Sequence, residues 1–221
     1  MSIYPNLFDI YRKYFSFENT NNIILIAMRF TSMDIFDSLS RLERASLLLL
    51  SEHSGSAVSG KTAYQKELFF IANYDEKIGD EAVFEPYEYG PYSEPAENSV
   101  NNLVDYGLVV CDKNGIYSLT EEGKEIVSLI KEKADIDVEE IADVKEFFDG
   151  LKTDEFILFT YVLYPEYTSE SAIKERVMNK RIPISISLYK KGKVGLEMAA
   201  HLSGLPMENF LNQMRVMNEA A

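Results

Sequence analysis

One stretch of the sequence has the spacing of a phosphate-binding loop. Residues 55–62 read Gly-Ser-Ala-Val-Ser-Gly-Lys-Thr. In such a loop, backbone N–H groups and the lysine contact phosphate, and the threonine hydroxyl meets Mg²⁺. A phosphate loop follows a buried parallel strand, but residues 41–50 contain no β-branched residue and many strong helix formers. We therefore expect neither nucleotide binding nor hydrolysis at Lys61 and Thr62.

The other side chains that could perform catalysis are few or scattered. His53 and His201 are the only histidines, and Cys111 is the only cysteine. Cys111 lies in a predicted strand, where we expect a small buried hydrophobic residue. No two carboxylates are singled out by their spacing as an acid and a base, and no metal-ligand motif is present. The sequence therefore predicts a non-enzymatic protein without a metal or a cofactor.

A first candidate binding surface is acidic and aromatic. Residues 75–97 contain eight acidic residues and one lysine, so this segment repels phosphate and attracts basic surfaces. Gly90-Pro91 predicts a turn, around which three tyrosines either cover the core or present an aromatic face. The candidate partner-binding residues are Glu85, Tyr87, Glu88, Tyr89 and Tyr92.

A second candidate surface is the basic tail. Residues 171–221 carry eight Lys or Arg and four Asp or Glu, which gives +4 and leaves −18 on residues 1–170. The nucleic-acid candidates are Lys190, Lys191 and Lys193, together with Asn209, Gln213 and Arg215. Asn and Gln suit contacts with adenine, and Arg suits guanine. The alternative is a helical module that docks on protein.

The middle of the sequence predicts the elements that would position these residues. Helices are expected at 34–53, 62–74 and 93–107, the last one capped by Ser93 and ended by Gly107. Strands are expected at 108–112 and 116–119, joined by a turn at Asn114-Gly115, and Thr120 caps a helix at 121–133. This order predicts a mainly α fold: a winged helix with a three-helix core and a β-hairpin wing.

The helix at 93–107 occupies the position that enters the major groove in a DNA-binding winged helix. Its predicted buried face contains Val100, Leu103, Val104 and Leu108. The helix has three acidic residues and no Lys or Arg, whereas groove entry needs cations to neutralise phosphates. We therefore do not expect this helix to read DNA.

Beyond the winged helix, residues 134–180 predict an acidic helical linker that ends in a charged helix at 169–180. A helix-turn-helix module then begins at Arg181 and occupies 181–221. Its template places Ala199 and Ala200 where helices approach closely, Gly204 at the turn and Phe210 in the core. The second helix is expected at 207–217, opened by Pro206.

Four segments are therefore expected: an arm at 1–32, the winged helix at 33–133, the linker at 134–180 and the module at 181–221. The aromatic arm either covers the core or forms a homodimer contact. No apolar run reaches the ~20 residues needed to cross a bilayer, and no secretory leader is visible at the N-terminus. We expect a cytoplasmic protein that does not contact a membrane.

Several motifs carry a resemblance to known families. Thr62-Ala63-Tyr64-Gln65-Lys66-Glu67-Leu68-Phe69-Phe70, Tyr89-Gly90-Pro91-Tyr92-Ser93 and Tyr117-Ser118-Leu119-Thr120 resemble the YwgA-like and SocA-like (Panacea) winged-helix proteins. Residues 188–193 and 199–204 resemble a small family of proposed antitoxins. The resemblance covers about 34–130 and 183–218; the acidic segment 75–97 and the arm are in neither pattern.

The resemblance implies no catalytic residue. It implies a protein-binding role as an antitoxin or adaptor, with a toxin as one such partner. The alternative function is a transcriptional regulator that binds DNA through the basic helix-turn-helix module.

Overall fold

A computed structural model describes the backbone of residues 32–55 and 58–219. The chain divides into two compact units, Met1–Leu39 and Ser40–Ala221. In the first unit, residues 32–38 are helical. The predicted arm and its role in a homodimer fall on residues outside the described part, apart from residue 32.

The second unit is mainly helical, as predicted. Its first part comprises α1 (Arg41–Gly55), β1 (Val58–Ser59), α2 (Lys61–Tyr74), α3 (Glu76–Ala82), β2 (Glu85–Tyr87), β3 (Gly90–Tyr92), α4 (Glu94–Asp105), β4 (Val109–Cys111) and β5 (Ile116–Leu119). The remainder comprises α5 (Glu121–Lys133), α6 (Val138–Phe148), α7 (Thr153–Leu163), a 3₁₀ helix (Pro165–Thr168), α8 (Lys174–Met178), α9 (Arg181–Lys190), α10 (Leu196–Ser203) and α11 (Met207–Glu219). Within the described residues, no helix is both long and apolar enough to span a bilayer.

The predicted single helix at 34–53 is wrong, because the helix is interrupted at Ser40. The Ser40 Oγ accepts a hydrogen bond from the Glu43 N–H at 3.1 Å, and the Glu43 carboxylate accepts one from the Ser40 N–H at 2.9 Å. This reciprocal capping box satisfies N–H groups that a helix start leaves free. A new helix, α1, therefore begins at Arg41.

A three-stranded antiparallel sheet has the order β1-β5-β4. The predicted strands at 108–112 and 116–119 are observed as β4 and β5, and Gly115 adopts φ +77° in the turn between them. Strand β1 lies in the predicted loop at 54–60. It forms because Val58 pairs with Tyr117, far away in the sequence.

Local signals fix both ends of α4. The Ser93 Oγ accepts a hydrogen bond from the Ala96 N–H at 2.9 Å, and Gly107 has φ +74° beyond the C-terminus. Val100 and Leu103 on the predicted face are buried, whereas Val104 is half-buried. The ends and most of the buried face of this helix are therefore as predicted.

The hydrophobic core is centred on α2. Tyr64 and Phe69 are buried, and the Tyr64 hydroxyl is hydrogen-bonded to the Ser46 hydroxyl at 2.7 Å. An aromatic cluster joins α2 to the later helices, since the Phe70 ring contacts those of Phe148 and Tyr164. The acidic segment after α5 is thus folded onto this core.

The last three helices share a small core of Ile186, Ala199, Ala200 and Phe210, with Gly204 at φ +73° between α10 and α11. One part of the prediction for this region is wrong, because the expected helix at 169–180 is reduced to Lys174–Met178. Arg181 to Pro183, where the sequence predicts the start of the module, is the first turn of α9, and a proline so early in a helix removes no needed N–H.

Candidate functional site

The five predicted partner-binding residues lie together on the hairpin formed by β2 and β3, which we call the tyrosine hairpin (residues 85–92). In this hairpin Glu85 pairs with Tyr92, and Tyr87 pairs with Gly90. The centroids of the Tyr87 and Tyr92 rings lie 4.9 Å apart. Tyr87 is 51% exposed and Tyr89 is 46% exposed, and both glutamates are exposed as well. The structure therefore presents an aromatic surface with an acidic edge.

The tyrosine hairpin is held from beneath through its backbone. The Lys66 Nζ donates a hydrogen bond to the Pro91 carbonyl at 2.8 Å, and the Ala172 N–H donates one to the Glu88 carbonyl at 3.0 Å. Gly90 has φ +91°, and a Cβ there would lie 2.6 Å from the Tyr161 ring. Because the backbone is tied down, the exposed tyrosine side chains do not have to stabilise the hairpin.

Gln65 fixes the junction between the hairpin and α4. Its side-chain amide donates a hydrogen bond to the Ser93 carbonyl and accepts one from the Ser93 N–H, both at 2.9 Å. The Ser93 hydroxyl also donates to the Ala82 carbonyl. Ser93 thus joins α3, the hairpin and α4, in addition to its predicted role as a cap.

A cavity of about 250 Å³ lies between the N-terminal part of α2 and the tyrosine hairpin. Its lining comprises Lys61, Thr62, Gln65 and Lys66 from α2 and residues 87–92 from the hairpin. No pattern in the sequence predicts this cavity. The available signal was Lys66, a charged residue within the otherwise largely apolar buried stretch of α2.

The two lysines of the cavity have different electrostatic surroundings. Lys66 is 2% exposed, and burial lowers its pKa to about 7 because the charged form loses hydration. Lys61 lies at the surface, with its Nζ 2.5 Å from a Glu97 carboxylate oxygen. Tyr92 donates a 2.5 Å hydrogen bond to the other Glu97 oxygen, and this bond raises the pKa of Tyr92 to about 12. Lys61 is therefore paired and Lys66 has no counter-ion in the described part of the protein.

The surroundings of residues 55–62 differ from those of a phosphate loop. Helix α1 occupies the position of the required strand, as predicted from its composition. Strand β1 has two residues and pairs antiparallel with β5.

The basic tail is attached to the acidic part of the same unit. The Lys191 Nζ donates hydrogen bonds to the Glu155 carboxylate at 2.6 Å and to the Gly150 carbonyl at 2.9 Å. The Lys193 Nζ donates one to the Glu146 carbonyl at 2.6 Å. Of the three predicted nucleic-acid lysines, Lys190 is exposed without such a contact in the described structure.

Glu155 is the anchor of this attachment. Its side chain is 4% exposed and accepts hydrogen bonds from the Lys152 N–H and the Ser187 hydroxyl, both at 2.6 Å. Burial alone would raise its pKa, but these hydrogen bonds and the Lys191 ammonium outweigh that effect and lower the pKa below its usual value. Glu155 is therefore a buried carboxylate that remains ionised near neutral pH.

The three candidates on α11 are exposed but do not share one face. Asn209 and Gln213 are four residues apart, so they lie one turn apart on the same side of the helix. Arg215 is turned by roughly 160° from Gln213 at 3.6 residues per turn. A single groove could not receive all three side chains from a straight helix.

The remaining candidates for chemistry stay apart. Cys111 is exposed, so its predicted burial is wrong: β4 is an edge strand of its sheet, and the last two residues of β4 face solvent. His201 is exposed on α10, and the His53 side chain lies outside the described part. Among the side chains that the structure describes, no three of His, Cys, Asp and Glu are grouped as metal ligands.

Comparisons with protein-family models, curated proteins and solved structures gave no significant match.

Proposed function

We propose that this protein is a non-enzymatic binding protein of the antitoxin or adaptor type, and that it recognises a basic protein partner through the tyrosine hairpin. One observation carries the proposal: Tyr87 and Tyr89 are about half exposed on a hairpin whose backbone is fixed from beneath. Tyrosines are frequent energetic centres of protein interfaces because they bury a large area at low entropic cost.

The charges around the hairpin indicate the nature of the partner. Glu85 and Glu88 are exposed beside the tyrosines, and the chain as a whole carries −14. Such a surface attracts a cationic partner and accelerates its association. The basic tail does not take this place, because Tyr87 and Tyr89 keep their exposure with α9–α11 in position.

Within this proposal, residues 41–133 form a winged helix of the YwgA-like and SocA-like kind. The order of α1, β1, α2, α4, β4 and β5, and the antiparallel sheet β1-β5-β4, support this assignment. Helix α4 then occupies the position of the helix that enters the DNA groove in a DNA-binding winged helix. It contains Glu94, Glu97 and Asp105 but no Lys or Arg. A surface of this charge favours protein recognition over DNA binding.

A DNA-binding regulator is the second candidate function. It is supported by Asn209 and Gln213, which are exposed on one side of α11 and suit contacts with adenine. The positive charge available to bind DNA phosphates is reduced, because Lys191 contacts α7 and Lys193 contacts α6. Protein binding is therefore the function that the geometry supports better.

The proposal is tested by quantitative affinity purification of the full chain from its native host. The informative variants are Tyr89→Ala and the double charge reversal Glu85→Lys with Glu88→Lys. The matched controls are Tyr106→Ala, which removes a tyrosine that is 54% exposed at the end of α4, and Glu125→Lys with Glu132→Lys on exposed positions of α5.

We expect a basic protein that is recovered with the native chain and both controls and is depleted with both hairpin variants. Equal recovery with all variants would contradict a role for the hairpin. Nanomolar, sequence-specific DNA binding without any protein partner would favour the second function.

A further inference from the structure

The size of the cavity beneath the tyrosine hairpin limits what it can hold. Its volume is about 250 Å³. A cavity of about 150 Å³ admits benzene, and sites for drug-sized ligands have roughly 300–1,000 Å³. The space therefore suits one aromatic ring with a small substituent.

The two walls of the cavity have different chemistry. Helix α2 contributes Lys61, Thr62 and Lys66, whereas the hairpin contributes Tyr87, Tyr89 and Tyr92. Aromatic rings pack favourably against other rings, and ammonium and hydroxyl groups donate hydrogen bonds. A ligand that fits both walls has a ring at one end and a polar group at the other.

Hydrogen-bond donors exceed acceptors on the α2 wall. An ammonium has three N–H donors, and the buried Lys66 ammonium has one described acceptor, the Pro91 carbonyl. Thr62 is half-buried in the cavity wall, and its hydroxyl makes no hydrogen bond to another described residue. Gln65 does not supply an acceptor, because its amide is already bonded to Ser93 in both directions. The missing partner is thus a group that accepts hydrogen bonds.

The charges of the cavity favour a ligand with a single negative charge. The Lys61 ammonium is paired with Glu97, and the Tyr92 hydroxyl donates to the same carboxylate. Lys66 is left as one cation without a described ion-pair partner, while Glu88 is exposed at the edge of the cavity. A monoanion balances Lys66, whereas a cationic ligand would be repelled by it.

We infer that this cavity binds a small aromatic monocarboxylate, with its carboxylate hydrogen-bonded to Lys66 and Thr62 and its ring against the tyrosines of the hairpin. The site is distinct in kind from the protein interface proposed above. A ligand bound here would contact the inner side of the hairpin and stabilise its position.

Ligand binding at this site is linked to a proton. Burial lowers the pKa of Lys66 to about 7, and a carboxylate beside it favours the charged ammonium, so binding takes up a proton above that pH. The other titratable groups around the cavity are Lys61, Tyr87, Glu88, Tyr89, Tyr92, Glu97 and Tyr161. The hydrogen bond to Glu97 raises the pKa of Tyr92 to about 12, and burial raises the pKa of Tyr161. Burial alone would raise the pKa of Glu97, but its hydrogen bonds from Lys61 and Tyr92 outweigh that effect and lower it. The affinity for a carboxylate therefore falls as the pH rises above 7.

The test uses the full chain and benzoate as the probe, followed by NMR amide shifts and calorimetry at about pH 6 and about pH 9, on either side of the Lys66 pKa. Benzamide, benzylamine and phenylphosphate are the comparison ligands. We expect benzoate to shift amides of residues 60–66 and 87–92 and to bind about tenfold more tightly than neutral benzamide, since hydrogen bonds to charged groups are the stronger ones. Affinity should decrease at the higher pH.

Variants locate the site. Lys66→Met and Thr62→Val should weaken benzoate binding, the first by about tenfold, whereas Lys190→Met, at an exposed position of α9, should leave it unchanged. If Lys66→Met does not fold, Thr62→Val and the pH dependence give the result. The inference is overturned if benzoate causes no shifts at millimolar concentration, or if benzamide, benzylamine or phenylphosphate binds as tightly. None of these measurements needs a protein partner, so their failure and that of the proposed function are distinguishable.

Discussion

The Lys191 ammonium lies 2.6 Å from the carboxylate of Glu155, and this ion pair joins the C-terminal helices to α7. The Glu155 side chain is nearly inaccessible to solvent, so it has exchanged its hydration for Lys191, Ser187 and the Lys152 N–H. Part of the positive charge of the tail is thus neutralised by Glu155 within the protein. Less of this charge is available to bind DNA phosphates than the eight Lys and Arg residues of 171–221 indicate.

Replacing Lys191 by methionine should destabilise the protein by roughly 2–3 kcal/mol, because the change leaves a buried carboxylate without its cation. The neighbouring substitution Lys190→Met, at an exposed position, should change stability by less than about 0.5 kcal/mol. Urea unfolding at neutral pH measures both. Since hydrogen bonds lower the pKa of Glu155, its stabilisation is present above its usual pKa and is lost as the pH falls through the lower, folded value. The difference between the two variants should therefore shrink in acid, and equal stabilities at neutral pH would contradict the role of the pair.

Gly90 should tolerate alanine less well than Gly115 does. Both have positive φ, at +91° and +77°, and alanine in this region costs roughly 1–2 kcal/mol. A Cβ at Gly90 would also lie 2.6 Å from the Tyr161 ring, whereas a Cβ at Gly115 meets no atom within 4 Å. Overpacking typically adds about 1–3 kcal/mol. Thermal unfolding of Gly90→Ala and Gly115→Ala compares the two costs. Equal shifts in Tm would show that the tyrosine hairpin accommodates the added Cβ at residue 90 without strain.

The parts of the fold that were predicted correctly are those with local signals. Ser93 and Gly107 mark the ends of α4, and Asn114-Gly115 marks the turn between β4 and β5. Each of these residues acts on backbone groups within a few positions in the sequence. The capping box of Ser40 and Glu43 is a signal of the same kind that was outweighed by the continuous apolar spacing across it.

Features of the fold that depend on residues far apart in the sequence are not predicted. Strand β1 exists because Val58 pairs with Tyr117, and two residues have no detectable strand pattern of their own. Lys66 is buried because the tyrosine hairpin closes over α2 and supplies the Pro91 carbonyl. The cavity could not be predicted for the same reason, since its two walls are brought together only by the tertiary fold.

The stability of the protein should depend on pH through Lys66. The unfolded lysine has a pKa of 10.5, and burial lowers the folded value to about 7. Between these values the unfolded chain binds a proton that the folded protein does not, so this residue makes stability rise with pH in that window, by at most about 1.4 kcal/mol per unit. Lys66→Met should lose this dependence, while Lys190→Met should keep it. Urea unfolding between pH 7 and 10 measures the slopes, and parallel slopes for Lys66→Met and the native chain would refute the assignment.

Duplex DNA should bind the full chain weakly at physiological salt. Non-specific affinity comes from cations that neutralise phosphates, and Lys191 and Lys193 are bonded to α6, α7 and the turn between them in a chain of net charge −14. Within residues 181–219, Lys190 and Arg215 are the exposed cations that make no such contact in the structure. If this module binds the DNA, the salt dependence should therefore be shallow, with a slope of about 2 or less in a plot of log affinity against log salt. Fluorescence anisotropy with random and selected duplexes, titrated with salt, tests both expectations. The double variant Asn209→Ala with Gln213→Ala should then bind DNA as weakly as the native chain does, since neither residue would contact base edges. A nanomolar, sequence-specific complex that this double variant abolishes would instead show that α11 reads bases, and it would move the function from protein recognition to transcriptional control.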